Sequence, residues 1–164
     1  NMPDLCSVPL SYKHVHEDSY SYKLACFIRF MQKHVKLVSE NPELISENIL
    51  KYYNKNTELL NDKTLYILQN ELDKDVNTLS KIKKVYSGSV KLVNREDIET
   101  AIENKKENIV FLHKVGPEQW KTKARCFKIL VGAKDSEFYY FDYHMINKNQ
   151  GDGFLEKDFK RIEK

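Results

Sequence analysis

The sequence has few of the features that mark secreted, membrane-spanning or nucleic-acid-binding proteins. It contains only three cysteines in 164 residues and no C-x-x-C pair, so a disulfide framework or a zinc site is not expected. Reduced thiols in an intracellular, cytoplasmic compartment are expected instead. Its apolar runs are only a few residues long, too short for a membrane-spanning helix. The residues themselves therefore predict no direct membrane insertion.

Arginine is also scarce. Lysine and arginine total 27 against 24 acidic residues, a net charge of +3, and only four of the 27 are arginine. Because arginine binds phosphates and bases through two hydrogen bonds better than lysine does, this balance predicts no nucleic-acid partner.

There is no glycine-rich phosphate loop, serine elbow or H-E-x-x-H motif, so no cofactor or metal is expected. His14 and His16 are two apart, but no third ligand follows at a fixed spacing.

With 41% hydrophobic residues, the chain can bury about two-thirds of its unfolded surface. No linker or repeat divides it, so residues 1–164 are predicted to form one domain. Residues 2–21 have no helical period and indicate an extended arm. The next stretch has apolar residues at helical spacing and predicts one apolar helix face, formed by Leu24, Phe27, Ile28, Met31, Val35 and Val38.

The rest of the chain predicts a second helix and then mostly strands. Asn41-Pro42 resembles a helix start, with Ile45 on the buried side, whereas residues 59–79 are ambiguous. Residues 82–86, 90–93 and 109–115 indicate strands, and Asn94 with Asp97 indicates a capped helix between the last two. Residues 126–131 and 138–143 indicate a hairpin, and residues 156–162 a final helix. This order predicts an α+β fold, with N-terminal helices packed on a mostly antiparallel β-sheet.

Several short segments resemble a family of papain-like proteases, the double-glycine (bacteriocin-processing) peptidases. Val8-Pro9-Leu10 matches the family's opening, and Leu24-Ala25 matches the end of the motif that begins its first long helix. The helix-then-strand unit at 94–115 and the hairpin at 127–142 match the family's later part, with Asp142 at the carboxylate position. The resemblance implies a papain-like fold over nearly the whole chain.

The departures from this family fall on its catalytic residues. Tyr22 occupies the position of the nucleophilic cysteine, and Lys23 that of the following glycine. Cys126 occupies the position of the catalytic histidine, preceded by Arg125 instead of glycine, and Tyr143 replaces a proline. The resemblance thus implies a scaffold that has lost its catalytic cysteine and histidine.

A rearranged thiol catalyst is the main alternative. Cys26 lies in the first turn of the long helix, where the dipole would lower a thiol pKa, and His113 or His144 could serve as its base. Cys126 is a second candidate nucleophile, and Asp142 could orient a histidine. Free cysteine is, however, more often a small buried hydrophobe than a nucleophile.

The sequence therefore favours a non-catalytic protein-interaction domain, with a protein partner that it does not identify. The expected binding surface is the sheet and hairpin, since tryptophan, tyrosine and arginine dominate interaction hot spots. An active cysteine peptidase or amidase is one alternative. Another is an interaction module of a membrane-associated, parasite-type protein, anchored through segments outside this sequence. The candidate binding residues are Trp120, Arg125 and the exposed member of the pair Tyr139 and Tyr140.

Overall fold

The computed structural model describes residues 8–10, 20–120, 123–147 and 153–163. Within these residues the helices are α1 (Leu24–Glu40), α2 (Ile49–Tyr53), α3 (Leu79–Ile82), α4 (Arg95–Glu103) and α5 (Glu156–Ile162). The strands are β1 (Thr64–Leu68), β2 (Ser89–Val93), β3 (Ile109–Trp120), β4 (Lys123–Gly132) and β5 (Phe138–Asn147). Short 3-10 segments join several of these elements, among them Pro42–Ser46 and Asn54–Leu60. Most of the predicted arm at 2–21 lies outside the described residues.

The five strands form one mixed sheet in the order β2-β1-β3-β4-β5. β1 pairs in parallel with both β2 and β3, and β3, β4 and β5 follow as an antiparallel meander. The parallel pairs arise because α3 and α4 lie in the connections that carry the chain from β1 to β2 and from β2 to β3. The predicted α+β class is confirmed, and the sheet is mixed, with more antiparallel than parallel pairing.

Helices cover both faces of this sheet. Along β3, Phe111 packs into a core with residues of α1, α2 and α4. Its neighbours Val110 and Leu112 pack into a second core on the other face, with residues of α3 and α5. This alternation follows from the two-residue period of a strand. It fixes α1 on one side of the sheet and α5 on the other.

Several predicted elements are confirmed. Asn94 accepts from the Asp97 backbone N–H at 2.9 Å, and the Asp97 carboxylate accepts from the Asn94 backbone N–H at 3.0 Å, which completes a capping box at the start of α4. α5 spans the predicted residues, and β4 and β5 form the predicted hairpin. β3 runs beyond the predicted end at 115, through a register shift between Val115 and Glu118.

One local prediction is wrong, one is right only in part, and one ambiguous stretch becomes defined. Residues 82–86 were expected to be a strand, but they contain the end of α3 and a turn, because the Thr78 side chain accepts from the Lys81 N–H and begins a helix there. The ambiguous stretch at 59–79 contains β1, whose strand conformation depends on its parallel pairing with β2 and β3. A helix does begin at Pro42, as a 3-10 segment, but the Asn41 side chain does not cap it: its Nδ2 donates to the Leu37 carbonyl oxygen at 2.9 Å, at the end of α1.

Candidate functional site

The long helix α1 is anchored to the sheet by an inner face that is only partly the predicted one. Its buried residues are Cys26, Phe27, Phe30, His34 and Val38. The Phe30 ring stacks on that of Phe138 in β5, and the His34 Nδ1 lies 2.7 Å from the Tyr53 hydroxyl. Arg29 Nε also donates to the Ser136 hydroxyl, at 3.0 Å. These contacts hold α1 in one fixed position on the sheet.

A second apolar stripe on α1 points away from the sheet. We call this stripe the outward face; it consists of Leu24, Ile28, Met31 and Val35, which are 42%, 48%, 37% and 40% exposed. The apolar helix face predicted from the sequence is therefore divided, because Phe27 and Val38 are buried and these four residues are exposed. The helix has more apolar residues than one face can hold, and the sheet covers only part of the arc.

A shallow, open groove runs along the surface of α1 at the outward face, and all of its lining residues belong to that helix. The groove is lined by Ile28, Met31, Val35 and the polar residues that follow them around the helix, which are Gln32, Lys36, Ser39 and Glu40. Contiguous exposed apolar residues with a polar border are typical of interaction surfaces, whereas single exposed apolar residues are ordinary. This face is therefore a candidate functional site.

A polar cluster lies where α1 begins, beside the carboxyl end of β1 and the part of β3 that follows its pairing with β1. β1 pairs with β3 only as far as Phe111. Beyond that point, the Lys23 ammonium donates to the Leu112 carbonyl oxygen at 3.3 Å and lies 3.6 Å from Glu71 Oε1. Lys23 is 2% exposed, so a buried charge ties the start of α1 to the sheet.

Two buried atoms of this cluster make no hydrogen bond within the described part of the chain. They are the Tyr22 hydroxyl and Glu71 Oε2. Burial raises the pKa of the Glu71 carboxyl, and the nearby Lys23 ammonium opposes that rise. The Arg95 guanidinium lies over the Tyr22 ring, 5.0 Å from its centroid, and packs the phenol against the cluster.

His113 lies beside this cluster and is a poor candidate for a general base. Burial, together with the Lys23 ammonium, holds the pKa of its imidazole well below the ordinary value. Its Nε2 is 3.1 Å from the Pro9 carbonyl oxygen, so this nitrogen carries the proton and donates it. The Phe27 ring covers the imidazole with a centroid distance of 4.5 Å. These contacts give His113 a structural role.

The two described cysteines are both completely buried. The polar neighbour of Cys26 is Arg29, whose Nη2 lies 3.4 Å from the Cys26 sulfur. Cys126 lies directly across from His144 in the register of β4 and β5, although the side chain of His144 is outside the described residues. Both thiols are 0% exposed, and a substrate could reach neither without a large rearrangement. Catalysis by either thiol stays a prediction.

The structure does not bring Tyr22 together with Cys126 and Asp142. Tyr22 packs against the core on the α1 side of the sheet. Cys126 shares the opposite side with Lys128, because side chains alternate along β4. Asp142 is 3.2 Å from the Arg161 guanidinium of α5, on that same opposite side. The resemblance to the peptidases stays a prediction, and these three side chains do not share a cleft.

The predicted binding residues on the hairpin are placed differently from expectation. Tyr139 and Tyr140 are both buried, so the prediction that one of them is exposed is wrong. The Tyr139 hydroxyl donates to Asp135 and that of Tyr140 to Asp158, at 2.7 and 3.2 Å. The side chains of Trp120 and Arg125 lie outside the described residues.

One feature that was not predicted from the sequence is a buried ion pair on the α5 side of the sheet. Lys128 Nζ of β4 lies 2.6 Å from Asp158 Oδ2 of α5, and both side chains are 0% exposed. Asp158 also accepts from the Leu155 backbone N–H at 2.8 Å, which caps α5. Lys128 interrupts the otherwise apolar run at 126–131, and that break in the pattern was the available signal.

Two conventional features are absent from the described residues. Among them no group of three His, Cys, Asp or Glu side chains is placed to hold a metal ion, and His14 and His16 lie outside the described ranges. None of the helices in those ranges is long and apolar enough to cross a membrane. Comparison with protein-family models, with curated proteins and with solved structures found no match.

Proposed function

We propose that the protein is a non-catalytic interaction domain that binds an amphipathic helix along the outward face of α1. The observation that carries the proposal is the contiguous exposure of Leu24, Ile28, Met31 and Val35 on a helix whose other face is already packed. Helix-in-groove recognition uses apolar residues at this spacing.

The position of α1 favours binding without rearrangement. Phe30, His34 and Arg29 fix the helix to β5, Tyr53 and the β4–β5 loop. A partner helix therefore meets a surface that is already ordered, so little entropy is lost on this side of the interface.

The size of the outward face predicts a weak and reversible complex. Fully burying one aliphatic side chain is worth about 1.5–3 kcal/mol, and each of these four is roughly two-fifths exposed, so covering one contributes about 0.6–1.2 kcal/mol. A partner helix with a similar stripe doubles the total. The cost of association offsets much of that gain.

A designed peptide tests this function. The probe is a fluorescein-labelled helix of alanine, glutamate and lysine that carries Leu, Ile, Met and Val at the spacing of the outward face. Its fluorescence anisotropy should rise on titration with the protein. Binding should be lost with the variant Ile28→Asp/Met31→Asp, because two carboxylates would then be desolvated in the interface.

The matched control is Leu79→Asp, which places a carboxylate on another helix at a residue that is 40% exposed. This variant should bind the peptide like the wild type. The proposed function is wrong if the peptide does not bind, or if the outward-face variant binds it as well as the Leu79 variant does.

A further inference from the structure

We infer that the helix bound by the outward face is α1 of a second copy of the chain, so that two copies pair through Leu24, Ile28, Met31 and Val35. This inference rests on the proposed function and names its partner. A two-fold dimer needs a surface that is complementary to itself, and the same stripe must then meet its own copy.

The residue types of the outward face fit a pair of identical helices. The spacings of four, three and four residues place Ile28 and Val35 at the a positions of a heptad and Leu24 and Met31 at the d positions. Branched residues at a with leucine at d favour two-stranded pairing over larger bundles. The seam covers about two heptads and ends where Val38, the next d position, enters the core.

The charges beside the outward face also permit two copies to pair. The positions that flank the seam on its solvent side, e in heptad notation, are Ala25, Gln32 and Ser39, and none of them carries a charge. The ammonium of Lys36, which borders the groove, lies 3.8 Å from the Glu40 carboxylate on the same helix. Two copies can therefore approach without opposing like charges, which would otherwise disfavour identical partners.

The protein's own core occupies the other flank. The corresponding g positions are Phe27 and His34, both buried against the sheet. A second helix can therefore approach only from the outward and e side, where the groove lies. This geometry leaves the outward and e side of the seam for the partner helix.

Sedimentation equilibrium of the whole chain tests the inference. The apparent mass should rise with concentration from that of one chain to that of two, and no further. The variant Ile28→Asp/Met31→Asp should weaken this association at least about 100-fold, while Leu79→Asp should leave it unchanged.

A cysteine cross-link locates the contact. Cys26 and Cys126 are buried, so a chain with Cys6→Ser and Met31→Cys carries one accessible engineered thiol. Mild oxidation should join two such chains at residue 31, whereas Leu79→Cys in the same background should stay uncoupled.

Each other outcome contradicts the inference in a recognisable way. A chain that stays monomeric at every concentration, yet binds the designed peptide, overturns the second-copy inference and leaves the proposed function standing. A dimer that survives the outward-face substitutions, or larger assemblies, also overturns it. If neither the peptide nor a second copy binds, both the inference and the proposed function are wrong.

Discussion

Replacing Asp158 by alanine should lower the free energy of unfolding by about 3–5 kcal/mol. The change leaves the Lys128 ammonium, which is 0% exposed, without its counter-charge inside the protein. It also removes the acceptor for the Tyr140 hydroxyl and for the Leu155 backbone N–H at the start of α5. An uncompensated buried charge costs far more than a lost surface contact.

Urea denaturation measures this effect, and α5 itself supplies the matched control. Glu156 pairs with Lys160 at 2.6 Å on the exposed side of that helix. Glu156→Ala should cost only about 0.3–0.5 kcal/mol, the usual value for a surface pair at this spacing. The double change Asp158→Leu/Lys128→Met should recover most of the stability lost in Asp158→Ala. Equal costs for Asp158→Ala and Glu156→Ala would show that the buried pair does not hold α5 to the sheet.

Truncations on the two faces of α1 should differ strongly in their cost. Phe30→Ala should lower the free energy of unfolding by about 3–5 kcal/mol, because it leaves a cavity against Phe138. Ile28→Ala should cost under about 1 kcal/mol at protein concentrations where the chain is monomeric. The Ile28 side chain is half-exposed in the single chain, and alanine favours the helix.

The comparison is made by denaturation of both variants at the same low protein concentration. A large cost for Ile28→Ala under these conditions would mean that another part of the same chain covers the outward face. That result would remove the basis for an interaction surface on α1. A small cost for Phe30→Ala would instead mean that α1 is not firmly packed on the sheet.

The sequence predicted those elements whose start or turn residues lie within the element itself. The capping box at Asn94 and Asp97, the hairpin of β4 and β5, and the final helix α5 all carry their own start or turn residues. β1 was not predicted because Leu65, Leu68 and Leu72 have helical spacing. Its strand conformation depends on β2 and β3, which are distant in sequence. Parallel pairing leaves no such short-range signal.

The candidate site was predicted only in part, for a similar reason. Apolar spacing correctly identified α1 as a long helix, but it could not show which side of a broad apolar arc the sheet covers. Phe30 and Cys26 belong to the inner face, whereas Ile28 and Val35 do not, and all four residues are apolar. One ring of the pair Tyr139 and Tyr140 was expected to be exposed. Both rings are buried, and their hydroxyls donate to the carboxylates of Asp135 and Asp158.

Methionine methyl groups test the central claim most directly, because the chain has two described methionines with similar exposure. Met31 lies on the outward face and is 37% exposed, and Met145 lies on β5 and is 39% exposed. In a protein with carbon-13 methionine methyls, raising the protein concentration should shift and broaden the Met31 signal and leave that of Met145 in place. A Met31 signal that does not change with concentration, or one that changes no more than that of Met145, would contradict the assignment of the outward face of α1 as the surface that pairs two copies.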